Sequence, residues 1–216
     1  PDSWLESALK LKKPFQVSHI TGIKSPYAEA EGWFIGCPLT AKQMVELPEE
    51  FVMDRIIESG KVAQELGAKI VGLGAFTSIV GDAGITVAKN LDIAVTSGNS
   101  YTVATAIQGT KQAARMMGKD LKECRAVVVG ATGSIGAASV RLLAKEVKHI
   151  TLVARHMGPL EELAQELIEQ NHCEVAVSQD IRTSLQEADI VITVTSALDF
   201  LIEPGDLKPG AVVCDV

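Results

Sequence analysis

The sequence predicts an α/β protein whose C-terminal half is a doubly wound parallel sheet, preceded by a smaller α/β domain. Three observations lead there. From residue 121 onward, short apolar β-branched runs alternate with amphipathic helical patterns, the rhythm of a parallel sheet. A glycine-rich turn, Gly130-Ala-Thr-Gly133-Ser-Ile-Gly136, joins the first run to the first helical pattern. The residues ahead of that rhythm carry strand and helix signals of their own. The expected division is 1–120 and 121–216, with Gly118 at the boundary and Lys119–Glu123 as the joint.

In the first half, Phe51 to Leu66 reads as an amphipathic helix, with Phe51, Ile56, Val62 and Leu66 on its apolar face. Pro48 precedes it and Gly67 ends it. Lys69–Leu73 reads as a strand leading into the turn Gly72-Leu-Gly74-Ala-Phe-Thr77-Ser78-Ile79. Asp82 is placed to cap a helix running to Lys89. Ile93–Val95 reads as a second short strand, followed by Thr96-Ser97-Gly98-Asn99-Ser100 and a long helix from Tyr101 to Met117. In the second half, Arg125–Val129 has the unbroken apolar run of a strand buried on both faces. A helix follows over Ile135–Val147, then a strand at Ile150–Val153. Pro159 suits the first position of the next helix, whose stripe is Leu160, Leu163, Leu167 and Ile168. Glu174–Val177, Ile190–Val194 and Ala211–Asp215 supply three further strands. A short helix over Ile181–Ala188 is capped by Asp180. The expected strand order is 3-2-1-4-5.

The glycine turn has a chemical meaning in this setting. A turn that follows a strand and opens a helix can hold a pyrophosphate on backbone N–H groups at the helix N-terminus. Gly130 would allow the turn, Gly133 the approach of phosphate and Gly136 tight helix packing; Thr132 and Ser134 add hydroxyls, with Ala131 and Ile135 between them. The spacing is G-x-x-G-x-x-G rather than G-x-G-x-x-G, so its force comes from context. Arg155 stands at the end of the second strand, where no Asp or Glu is present. A cation there suits the 2′-phosphate of NADP(H), the preferred cofactor, with NAD(H) as the second choice; an ordinary surface arginine is the alternative. Thr195 and Ser196 end the fourth strand, on the crevice side of an open sheet, or they are a plain strand terminus. Residues 121–216 are therefore expected to form an NAD(P)-binding, Rossmann-like domain. The polar loops with Thr77 and Ser78, and with Ser97, Gly98, Asn99 and Ser100, read either as helix caps or as the lining of a substrate cleft in residues 1–120.

Composition narrows the rest. Hydrophobic residues make up 47% and charged residues 22% of the 216 residues, and the net charge is −7. Scattered, outnumbered basic residues give no nucleic-acid footprint. No apolar run is long enough to span a bilayer as a helix, and no signal-peptide pattern opens the chain. Cys37, Cys124, Cys173 and Cys214 lie far apart, without C-x-x-C or neighbouring His, so no metal site is expected and a reduced, cytoplasmic setting fits. Cys124, Cys173 and Cys214 are expected to pack beside or inside strands. A start at Pro1 and an end at Val216 within a strand pattern read as a segment of a longer protein, with the first domain incomplete.

Three motifs together carry a resemblance. Gly74-Ala-Phe-Thr-Ser-Ile79, Thr96-Ser-Gly-Asn-Ser-Tyr-Thr102 and Val128-Val-Gly-Ala-Thr-Gly-Ser-Ile-Gly136 occur in the order seen in cyanobacterial long-chain acyl-ACP reductases. They are similar also to related bacterial proteins called predicted amino-acid dehydrogenases. The C-terminal half resembles the NADP-binding domain of shikimate dehydrogenase and glutamyl-tRNA reductase. The first resemblance implies reduction of an acyl thioester, on acyl carrier protein or coenzyme A, to an aldehyde through a cysteine thiolate and a nicotinamide hydride. It places that cysteine beyond the part matching Val216. Cys37, in Gly36-Cys-Pro38, is a weak candidate nucleophile because no basic residue adjoins it in sequence.

Other readings stay open. A shikimate-type or amino-acid-type dehydrogenase would transfer hydride directly to a small carbonyl substrate and would need a lysine as acid or base; Lys69 and Lys89 lie near strand or helix ends, but no sequence context singles either out. A non-catalytic NADP-binding module is the third, and a homo-oligomer is compatible with all three. A short-chain dehydrogenase is excluded: the glycine turn lies far from the N-terminus, and neither Tyr27 nor Tyr101 has a lysine four positions on.

Overall fold

The computed structural model describes residues 8–170, 173–195 and 202–216. The chain divides into two compact units, Pro1–Gly98 and Asn99–Val216.

The first unit opens with an antiparallel hairpin, β1 (Phe15–Lys24) and β2 (Glu29–Gly36), whose register shifts twice. The hairpin turn is tied by the Ser25 hydroxyl, which accepts from the N–H groups of Tyr27 and Ala28. Helix α1 (Ala41–Glu46) starts on a capping box: Gln43 N–H donates to Thr40 Oγ1, and Thr40 N–H donates back to Gln43 Oε1. Helix α2 (Glu49–Glu65) follows Pro48, with Glu49 and Glu50 favourably placed at its positive end. Next come β3 (Ile70–Gly72), a 3-10 turn (Ala75–Ser78), α3 (Ile85–Lys89) and β4 (Ala94–Thr96). Strands β3 and β4 pair in parallel. The unit's core gathers Met44, Val52, Met53, Ile56, Leu73 and Val87. Asp82 does serve the start of α3: its carboxylate accepts from the N–H and hydroxyl of Thr86.

The second unit begins with α4 (Asn99–Met116) and continues β5 (Arg125–Val129), α5 (Ser134–Leu143), β6 (His149–Val153), α6 (Met157–Gln170), β7 (Glu174–Ser178), α7 (Ile181–Leu185), β8 (Ile190–Thr193) and β9 (Val212–Asp215). Its sheet has the order β7-β6-β5-β8-β9, every pair parallel. This is the 3-2-1-4-5 arrangement expected from the sequence. Alternate residues of the central strands feed two cores. Ala126, Val128, Ile150, Leu152, Ile190 and Ile192 pack with α4, α5 and α6. Val127, Val129, Val153 and Val191 pack with Leu185 of α7 on the other face. Both faces are covered, which is why these strands read as continuous apolar runs.

Asp189 ties the amino ends of the central strands. Its carboxylate accepts from Lys208 Nζ (2.8 Å), Lys119 Nζ (3.1 Å) and Arg125 N–H (3.1 Å). Its own N–H donates to Arg125 O and its carbonyl accepts from Val212 N–H. Burial alone would raise this carboxyl, but the bonds from Lys208, Arg125 and Lys119 outweigh it and hold it at about 2.

Several expected boundaries shift. Helix α5 stops at Leu143 rather than Val147, because the chain turns through Ala144–Glu146 while Val147 stays buried in the core. Helix α6 starts at Met157, two residues ahead of Pro159, and α7 ends at Leu185. Cys124 is buried beside β5; Cys173 and Cys214 are half-buried and pack against the larger core.

Candidate nucleotide-binding site

The site is built where β5 ends. Gly130 has φ +83°, a left-handed conformation that costs an L-residue about 1–2 kcal/mol. A Cβ on Gly130 would also overlap the carbonyl of Val194, just past β8. Two independent constraints thus hold glycine here. The turn is anchored by Gly130 N–H (2.8 Å) and Ala131 N–H (3.1 Å), both donating to Val153 O at the end of β6. A Cβ on Gly136 would run into the carbonyl of Gly130, so the first turn of α5 lies directly on the loop.

Gly133 is different. A Cβ there would meet only Gly130 O, at 3.4 Å, an ordinary contact, and the residue's φ is −72°. Nothing in the protein's own packing demands glycine at 133; its effect is to leave the outer face of the turn open. Gly133 is the N-cap of α5, and no side chain caps that helix among the described residues. The N–H groups of its first turn lack intrahelical acceptors and carry the positive end of the helix dipole. An open glycine face beside an uncapped helix start fits a pyrophosphate.

The other residues singled out in the sequence are distributed around this turn unevenly. Thr132 and Ser134 are exposed on it, Ile135 is half-buried, and Ala131 is fully buried with its N–H committed to Val153. Arg155 lies two residues beyond β6 and is exposed, and its guanidinium makes no ion pair among the described residues. Its backbone is fixed by Gln179, whose Nε2 donates to Arg155 O at 2.6 Å. Thr195 lies beyond β8 and is exposed. Because β5 and β8 are neighbours, Gly130 and Val194 meet at the point where the strand order reverses, the usual ligand crevice of an open α/β sheet. Ser196 lies outside the described residues. Thr193, the last residue of β8, donates from its hydroxyl to the carboxylate of Asp215 across the β8–β9 pair.

Asn99 stands at the start of α4, and its Nδ2 donates to Ser134 Oγ at 3.2 Å. A residue grouped with the substrate loops therefore touches the glycine turn. Gly98 has φ +75°, and its N–H donates to Thr96 Oγ1, so it closes a local turn; Ser100 continues α4. Ser97 is half-buried within that turn. In the first unit, the hydroxyls of Thr77 and Ser78 donate back to Gly74 O and Ala75 O, both at 2.7 Å, which makes them local turn closures.

Cys37 is half-buried against Met44 and Ile56, in a groove of about 760 Å³ confined to the first unit. Trp33, Phe34, Ile35, Met44 and Thr77 also line it. Burial pushes the Cys37 thiol up, against smaller lowering by a hydrogen bond from Ser59 and the charge of Arg55. A raised thiol is a poor nucleophile near neutral pH. Among the described residues no three His, Cys, Asp or Glu side chains gather to hold a metal ion, and no helix is long and apolar enough to cross a membrane.

Comparison with known proteins follows the same outline. Residues 111–212 match the family model described as shikimate / quinate 5-dehydrogenase. The chain is 32% identical over 191 residues to aminotransferase PigE of Serratia sp. (strain ATCC 39006), covering 88% of this chain and 22% of that protein. It is 29% identical over 178 residues to the long-chain acyl-[acyl-carrier-protein] reductase of Synechococcus elongatus, covering 74% of this chain and 48% of that protein. It thus spans about a fifth of the one relative and about half of the other. Among solved structures, shikimate 5-dehydrogenase of Listeria monocytogenes aligns over 50% of this chain and 43% of its own, at 19% identity and a TM-score of 0.41. The chain is homologous in sequence to the acyl-ACP reductase and to PigE, and its residues 111–212 match the shikimate / quinate 5-dehydrogenase family model.

Proposed function

We propose that this chain is the nucleotide-binding part of an NADP(H)-dependent oxidoreductase. The observation that carries the reading is the uncapped start of α5, exposed by Gly133 at the carboxyl end of β5. In this reading the first-turn N–H groups of α5, with the hydroxyls of Thr132 and Ser134, hold the pyrophosphate. Arg155, without an ion-pair partner among the described residues, meets the 2′-phosphate; Gln179 keeps its backbone in place. Thr195 lines the crevice between β5 and β8. When bound, the nicotinamide supplies a hydride. The chain's own share is to bind and orient the coenzyme.

The reaction we propose is reduction of an acyl thioester to an aldehyde. The likeness to the Synechococcus reductase supports it. So does the largely apolar groove of the first unit, which suits an acyl chain better than a small polar acid. Cys37 remains a weak candidate for the nucleophile in this scheme, since burial raises its thiol. The match of residues 111–212 to the shikimate/quinate family favours a second reading, direct hydride transfer to a small carbonyl.

Incubation of the full-length protein with NADPH and either an acyl thioester or a small keto acid separates the two by the fall in coenzyme absorbance. Consumption with the thioester is expected; consumption with the keto acid alone would favour the second reading. The nucleotide assignment has its own test. Arg155→Asp is expected to weaken NADPH far more than NADH, and an equal loss for both would remove Arg155 from the 2′-phosphate.

A further inference from the structure

The hydrogen bond between Asn99 and Ser134 carries a consequence for the coenzyme site. Ser134 is the first residue of α5, next to Gly133, and it is exposed on the face of the turn assigned above to pyrophosphate. A serine hydroxyl has one proton to donate and two lone pairs to accept with. Asn99 Nδ2 occupies one of those lone pairs at 3.2 Å. Among the described residues the Ser134 proton has no acceptor of its own. Asn99 is itself held firmly, because α4 packs along α5 through Val103 and Ile107 in the same core as Val140 and Leu143.

We infer that Asn99 is a positioning residue for the coenzyme: it fixes Ser134 Oγ as an acceptor so that the hydroxyl proton is delivered to the pyrophosphate. This rests on the nucleotide reading and moves Asn99 from the substrate loops to the coenzyme site. An unrestrained serine hydroxyl must give up rotamer freedom when it meets a ligand. Holding Ser134 in place beforehand removes that cost, the usual gain from preorganisation.

The test is the affinity of the full chain for NADPH in the wild type, Asn99→Ser, Ser134→Ala and the double variant, with 2′-AMP as a second probe that lacks the pyrophosphate. Asn99→Ser keeps a small polar side chain at the start of α4 but removes the amide donor. Each single change is expected to raise the NADPH Kd about 3- to 10-fold, the range of one hydrogen bond. The double variant should be no weaker than the worse single one, because both changes break one chain of contacts. Binding of 2′-AMP should stay within about twofold of wild type. Asn99→Asp, which preserves size but cannot donate and adds a negative charge, should weaken NADPH further still. It replaces Asn99→Ser if melting curves show that variant to be unfolded. Losses that multiply in the double variant, an unchanged Kd for both Asn99 variants, or a parallel loss of 2′-AMP would each overturn the inference while leaving the nucleotide reading intact. Absence of NADPH binding by the wild type would overturn that reading itself.

Discussion

Two turns in this molecule look alike in sequence and differ in structure. After β3, Gly72-Leu-Gly74-Ala-Phe-Thr-Ser leads into a single 3-10 turn; after β5, Gly130-Ala-Thr-Gly133-Ser-Ile-Gly136 leads into a helix of 10 residues. In the first, Gly74 has φ −117° and empty space where a Cβ would go, and the Thr77 and Ser78 hydroxyls bend back onto the turn's own carbonyls. In the second, Gly130 is fixed by conformation and by contact, Gly136 by contact, and the helix start is left uncapped. The comparison teaches that a glycine-rich strand end is suited to hold a ligand, as proposed above for the second turn, only through what surrounds it. It needs a long helix to supply a dipole, and donors that the protein has not already used.

The largest effect is expected from alanine at matched positions. Gly130→Ala combines a left-handed φ with an overlap on Val194 O and should cost about 3 kcal/mol or more. Gly74→Ala should stay within about 0.5 kcal/mol. Denaturant unfolding of both variants measures the difference, and equal costs would break the comparison. Next in size is Arg155→Asp, expected to raise the NADPH Kd about 10- to 100-fold, the value of a charged hydrogen bond, with little change for NADH.

The frame beneath the second turn has its own pH dependence. The folded carboxyl of Asp189, at about 2, lies below the value of about 3.9 for an unfolded aspartate. A depressed acid stabilises the folded state above about pH 4, and that stabilisation is lost as pH falls through about 2. Asp189→Asn should therefore cost about 1–3 kcal/mol at pH 7 and progressively less in acid. A constant cost from pH 7 to pH 2, measured by unfolding, would show that the carboxylate's charge is not what holds β5, β8 and β9 together. The smallest expected effect separates binding from folding. Gly133→Ala should leave stability within about 0.5 kcal/mol, since its Cβ meets nothing closer than 3.4 Å, yet weaken NADPH about tenfold by filling the open face.

The second unit was readable from sequence because its information is local. Apolar runs such as Arg125–Val129 and Ile190–Val194, set apart by helix stripes, dictate a parallel sheet buried on both faces, and right-handed crossovers narrow the strand orders open to it. Asp180 was legible as a cap, since a cap acts within its own first turn. The hairpin β1–β2 was not legible. Its strands are largely exposed and twice shifted in register, so the two-residue alternation that announces a strand is blurred. The site divides in the same way. The glycine turn and Arg155 of the proposed site are local features, marked by motif and by position after a strand. The Asn99–Ser134 bond joins residues 35 apart in sequence, and the ties from Lys119 and Lys208 to Asp189 also reach across the fold. No local pattern encodes such pairings.

The central claim is that the start of α5 binds a dinucleotide's pyrophosphate. Calorimetric titration of the full chain and of Gly133→Ala with NADPH, alongside melting curves for both, tests it most directly. Saturable binding that weakens about tenfold in a variant melting like the wild type is the expected result. No binding by the wild type, or equal affinity in the two proteins, would contradict it.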